Sequence, residues 1–143
     1  MTITGITRKS AQNNTKKMDN KIVEKSPSTP GIVFETDKGY LLIEGRSIPE
    51  NPGEFYEPMI DWVKGYLKEN AKPLNIDFKL EYINSGSSKY ILSLFKSINT
   101  FCDQGGECQV NWHYEEDDEA VQELGEHYKN SFEHIPFNLV EFI

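Results

Sequence analysis

Cysteine is scarce in this chain: Cys102 and Cys108 are the only two in 143 residues. They flank Asp103-Gln104-Gly105-Gly106-Glu107, at a predicted helix-to-strand turn that lets them approach each other. With no second pair and no histidine at ligand spacing, a C-x5-C pattern is a weak metal signal. Two free thiols in a reducing cytoplasm are the expectation. Long apolar runs are missing as well. None approaches the roughly 20 residues that a membrane-crossing helix needs, and the N-terminus lacks the apolar middle of a secretory signal.

Positive charge is in short supply. There are 15 Lys and Arg against 23 Asp and Glu, a net of −8. Residues 1–30 hold six basic and two acidic side chains, a net of +4, so residues 31–143 carry −12. An acidic body opposes nucleic-acid and anionic-membrane binding, because phosphate contact needs Lys and Arg. Protein partners fit better.

Catalytic templates are absent too. There is no Gly-x-x-x-x-Gly-Lys-Ser/Thr loop, no Gly-x-Gly-x-x-Gly and no Gly-x-Ser-x-Gly. A serine nucleophile needs a base and a group that orients it, and no such His and Asp pair is identifiable. His127 and His134 are seven residues apart, which matches no zinc motif. The acidic run Glu115 to Glu119 lacks the spaced oxygen ligands and glycine of an EF-hand. The chain is therefore expected to be no enzyme and to need no cofactor.

What is present is a compact αβ rhythm. Residues 1–29 are polar and lysine-rich and predict a disordered tail, with Met18 a second candidate start. A single domain is expected over residues 30–143. It opens on a hairpin, Ile32–Glu35 and Tyr40–Glu44, turned by Asp37-Lys38-Gly39, where Gly39 suits a positive φ. Pro52 starts a helix through Asn70 whose Phe55, Met59, Trp62, Val63, Tyr66 and Leu67 lie on or near one face. A strand follows over 75–83, a helix over about Ser87–Gln104, and a strand over 109–115. Glu115 to Glu119 is predicted to open a third helix, and 136–142 is the last strand. The order is ββαβαβαβ. Strands joined through helices pair in parallel, yet three of these strands alternate apolar and polar residues where a doubly covered sheet would be continuously apolar. The pattern predicts a two-layer α/β domain with a mixed sheet, the helices mainly on one face and the other face polar.

One segment carries candidate chemistry. Asn84-Ser85-Gly86-Ser87-Ser88 joins the strand of Ile76, Phe78, Leu80 and Tyr82 to the apolar helix of Ile91, Leu94, Phe95 and Ile98. Unpaired N–H groups at a helix start favour an anion. Ser and Asn there are also ordinary caps. A solvated Lys89 and a capping-only serine run account for the same residues.

Four motifs then fall in order. Tyr82-Ile83-Asn84-Ser85-Gly86-Ser87 with Lys89 resembles the Tyr-Leu-Asn-Thr-Ser-Ser…Lys segment of SiaC family regulatory phosphoproteins. Ile48-Pro49-Glu50-Asn51 and Ile60-Asp61-Trp62-Val63 resemble their Tyr-Pro-Glu-Asn and Ile-Asp-Trp-Val elements, and Trp112-His113-Tyr114 their Trp-His-Tyr strand. The resemblance covers residues 31–142. It implies a fold similar to STAS domains and phosphorylation of the hydroxyl after the Asn, here Ser85, with Ser87 a secondary acceptor. Asn84, Gly86, Ser88 and Lys89 would form the surface around the phosphate or partner. It further implies a cognate Ser/Thr kinase, a PP2C-type phosphatase, and an unphosphorylated form that binds a diguanylate cyclase to control c-di-GMP and biofilm formation. An anti-sigma factor antagonist-like adaptor acting on transcription is the alternative. Ser85 stands where the family has threonine, and Gly86 where it has serine.

Overall fold

The structure is a computed structural model that describes residues 18–69 and 72–143. Among the described residues nine elements follow in order: β1 (Lys21–Val23), β2 (Gly31–Glu35), β3 (Tyr40–Arg46), α1 (Pro52–Glu69), β4 (Leu74–Glu81), α2 (Ser85–Asp103), β5 (Cys108–Glu115), α3 (Glu119–Ser131) and β6 (Phe137–Phe142). The strands form one mixed sheet in the order β1-β2-β3-β4-β5-β6. The pairs β1–β2 and β2–β3 are antiparallel, and the remaining three are parallel. The expected two-layer α/β arrangement is present.

Alternation decides which face is covered. Ile32 and Phe34, Leu41 and Ile43, Leu74, Ile76, Phe78 and Leu80, and Val110, Trp112 and Tyr114 all point into one core. That core also takes Tyr56, Met59 and Val63 of α1, Ile91, Leu94, Phe95 and Ile98 of α2, and Val121 and Tyr128 of α3. The three helices among the described residues therefore lie on one side of the sheet. Phe95 is the centre of an aromatic cluster, with ring centroids 5.2 Å from Phe78, 5.0 Å from Tyr128 and 5.4 Å from Phe137. The Trp112 indole N–H donates to the Val121 carbonyl at 2.9 Å, so the buried ring leaves no unsatisfied donor.

Several boundaries differ from the expectation. The predicted tail of residues 1–29 is too long. Lys21–Val23 pairs with Phe34–Ile32, the Thr36 hydroxyl donates to the Met18 carbonyl at 2.7 Å, and Ile48 N–H donates to the Ser28 carbonyl at 2.9 Å. Composition counts apolar side chains, whereas an edge strand is held by backbone hydrogen bonds; Ile22 in β1 stays 71 % exposed. The rest of that tail, residues 1–17, lies outside the described residues. Glu115 belongs to β5 and not to a helix start, since it pairs with Phe142; Asp118 caps α3 by accepting from Val121 N–H at 3.1 Å. Cys102 and Cys108, expected as free thiols, are joined as a disulfide with Cα atoms 6.7 Å apart. The chain reverses between them: Gly105 N–H donates to the Cys102 carbonyl and Gly106 N–H to that of Phe101. That turn returns the start of β5 to the end of α2.

The uncovered face is polar but ordered. Asp77 on β4 accepts from the Tyr40 hydroxyl at 2.7 Å and from the Asn111 amide at 3.0 Å, and it pairs with His113 Nε2 at 3.1 Å. Asn138 on β6 extends the network by donating to Asn111 Oδ1 at 3.1 Å. Partial burial opposes ionisation of Asp77, but the hydrogen bonds from Tyr40, His113 and Asn111 outweigh it and hold its pKa below the ordinary carboxylate value. Burial, then the bond to Asp77 and its charge, push the Tyr40 phenol upward, so it remains the donor. A carboxylate depressed in the folded state adds stability above its unfolded pKa and loses it as pH falls through the folded value. Asp77→Ala is therefore expected to lower unfolding free energy by about 2 kcal/mol at pH 7. Urea denaturation should show that deficit holding to about pH 5 and shrinking below about pH 4.

Candidate functional site

The β4–α2 junction is built around Ser47, the first residue beyond β3. Its N–H donates to the Glu81 carbonyl at 3.1 Å, and its carbonyl accepts from Asn84 N–H at 2.9 Å. The same carbonyl accepts from the Ser87 hydroxyl at 3.3 Å, and the Ser47 hydroxyl is hydrogen-bonded to that of Tyr56. Ser47 is wholly buried and every polar group it has is used. Burial raises the Tyr56 phenol pKa, with the Ser47 and Ser87 bonds countering in part, so Tyr56 stays neutral at physiological pH. These bonds were not visible in the sequence, where 45–51 reads as a loop whose motif, Ile48-Pro49-Glu50-Asn51, leaves Ser47 unmarked.

Asn84 is the N-cap of α2. Its backbone is extended (φ −81°, ψ 164°), its side-chain oxygen accepts from Ser87 N–H at 2.8 Å, and its amide donates to the Pro49 carbonyl at 3.3 Å. Helix α2 thus starts at Ser85, two residues before the expected Ser87. That shift separates the hydroxyls. Ser85 is the first helical residue and its side chain is exposed. Ser87 lies a half-turn on, 0 % exposed and bonded inward to Ser47. The secondary acceptor candidate Ser87 thus has its oxygen turned into the fold, while that of Ser85 faces solvent. Ser88 is half-buried and its hydroxyl turns back to the Ser85 carbonyl at 2.9 Å, while the Tyr128 hydroxyl donates to the Ser88 carbonyl at 3.0 Å and ties α3 to the same turn. Lys89 is exposed and makes no ion pair among the described residues.

Gly86 has a packing reason. A Cβ there would lie 2.8 Å from Cγ of Pro52, the first residue of α1, so glycine lets the two helix starts close on each other. The site is accordingly a helix N-terminus with a satisfied cap, one outward hydroxyl, and a floor fixed by Ser47. Its outer rim carries Tyr82, which is 64 % exposed, with the Arg46 guanidinium 4.6 Å from its ring centroid. Beyond Tyr82 an open cleft of about 330 Å³ is lined by Glu81, Glu115, Asp117, Asp118 and Phe142. Among the described residues no helix is long and apolar enough to cross a membrane.

Residues 23–142 match the model of the SiaC family regulatory phosphoproteins. The chain belongs to that family. An uncharacterized protein of Pseudomonas aeruginosa strain UCBPP-PA14 is 33 % identical over 102 residues, which is 71 % of this chain and 81 % of the relative. The structure of SiaC of Pseudomonas aeruginosa superposes with a TM-score of 0.82 at 29 % identity, over 87 % of this chain and all of that one. A crystal structure of the diguanylate cyclase SiaD in complex with its activator SiaC, from the same organism, matches with a TM-score of 0.81 at 30 % identity, over 85 % of this chain and 98 % of that one. The apo-SiaC structure matches with a TM-score of 0.80.

The two neighbouring side chains have separable roles in stability. Asn84→Ala removes the cap and is expected to cost about 1 kcal/mol in denaturant unfolding. Ser85→Ala deletes an exposed hydroxyl with no structural bond of its own and should stay within about 0.5 kcal/mol of the parent.

Proposed function

We propose that this SiaC family member is a non-enzymatic cytoplasmic regulator whose unphosphorylated form binds and activates a diguanylate cyclase in c-di-GMP signalling, and that phosphorylation of Ser85 ends the complex. A cognate Ser/Thr kinase adds the phosphate and a PP2C-type phosphatase removes it. The observation that carries this reading is the position of Ser85: the one outward hydroxyl at a helix start whose cap is already satisfied by Asn84. The likeness to SiaC in complex with SiaD supports the choice of partner.

Charge gives the mechanism. A phosphate adds about −1.5 to −2 charge and three acceptor oxygens. At the start of α2 it meets the positive end of the helix dipole and the first free N–H groups, so the fold tolerates it. Asn84, Ser87 and Ser47 keep their bonds, because none of them uses the Ser85 oxygen. A partner that covers the same spot must desolvate the phosphate, and a buried charge without its own counter-charge costs several kcal/mol. Release without unfolding is the result. Ser85 supplies the acceptor oxygen that threonine supplies elsewhere in the family.

Treatment with the cognate kinase should add one phosphate, mapped by peptide mass spectrometry to Ser85 and absent from Ser85→Ala. Full modification of Ser85→Ala would overturn the site. In a pull-down, wild type and Ser85→Ala should retain a diguanylate cyclase and Ser85→Glu should lose it. Retention of an anti-sigma kinase instead would move the output to transcription.

A further inference from the structure

Tyr82 is the only non-glycine residue with a positive φ among the described residues, at 52°. For a bulky side chain that conformation is strained, because Cβ crowds the following carbonyl oxygen. Its cause lies in the Ser47 clamp. The chain leaves the β-ladder at Glu81, whose carbonyl accepts from Ser47 N–H, and three residues later Asn84 N–H returns to the carbonyl of the same Ser47. Tyr82 and Ile83 must close that short excursion, and the left-handed turn at Tyr82 closes it. Glycine or asparagine would make the turn with less strain. The fold needs the turn there and has no need of an aromatic ring.

The ring is nonetheless held out. It is 64 % exposed, and the Arg46 guanidinium sits 4.6 Å from its centroid. Arg46 makes no ion pair among the described residues, so its outer N–H donors are free. Tyrosine and arginine are the residue types that dominate binding energy at protein interfaces. Tyr82 also lies three positions before Ser85, on the same clamped segment. Strain, exposure and a stacked cation are together unexplained by folding.

We propose that Tyr82, backed by Arg46, is the aromatic anchor that the cyclase grips, and that the partner offers an apolar socket for the ring with a carboxylate at its edge for Arg46. This rests on the regulatory reading above. It also says why one modification at Ser85 suffices: the phosphate stands beside the anchor, so a partner seated on the ring cannot avoid it.

Calorimetric titration of a purified diguanylate cyclase against wild type, Ser85→Glu, Tyr82→Asn, Tyr82→Gly and Tyr82→Phe tests it, with a thermal melt of each. Tyr82→Asn and Tyr82→Gly should melt close to or above the wild type and bind at least ~10-fold more weakly. Tyr82→Phe, which keeps the ring, should bind like the wild type. If the Asn and Gly variants bind as tightly as wild type while Ser85→Glu does not bind, the anchor is wrong and the phosphorylation reading survives. If they melt far below wild type, the ring is structural and the anchor is wrong. If the wild type itself does not bind, the regulatory reading falls and takes the anchor with it.

Discussion

Ser47 holds the site together. One buried residue closes the end of β3 against the end of β4 through its N–H, against the helix cap through its carbonyl, and against α1 through its hydroxyl. Buried backbone groups must be paired, and here the pairing also fixes geometry. It draws Ser87 inward, sets Asn84 at the cap and forces Tyr82 into the left-handed turn. The exposure of Ser85 follows from these three constraints, since it is the position between cap and floor with no inward partner.

The charge distribution fits a switch more readily than a binding pocket. The body is strongly acidic, and the cleft beside Tyr82 is lined by Glu81, Glu115, Asp117 and Asp118 against the single cation Lys79. Anions are unwelcome over most of that rim. The start of α2 is the exception, because its first amides point outward and its dipole favours negative charge. On the proposed reading a phosphate attached there would need no arginine cluster, in keeping with a Lys89 that is exposed and makes no ion pair among the described residues.

Much of the architecture was legible because it rests on periodicity. The alternation of Ile76, Phe78 and Leu80, and of Val110, Trp112 and Tyr114, shows that only one sheet face is apolar, and this predicts the helices mainly on that face. Gly39 reads as a positive-φ turn residue and is one, at 66°. Four short motifs pointed to the family. Features held by backbone bonds were illegible. β1 carries too few apolar residues to announce itself, the approach of Cys102 to Cys108 across a glycine turn was legible while their bonding was not, and Glu115 is kept in a strand by its pairing with Phe142.

From local order alone, then, the chain determined that a serine-rich turn joins an alternating strand to an apolar helix, and that this turn offers hydroxyls at a helix start. Which hydroxyl faces solvent was decided only in three dimensions. Ser85 and Ser87 are chemically the same and two residues apart; a contact with Ser47, forty positions before Ser87, buries one and leaves the other out. Spacing along a chain sets the period of a helix, but its phase relative to the core is set by what packs against it, and here that was the carbonyl of Ser47, a residue outside every motif.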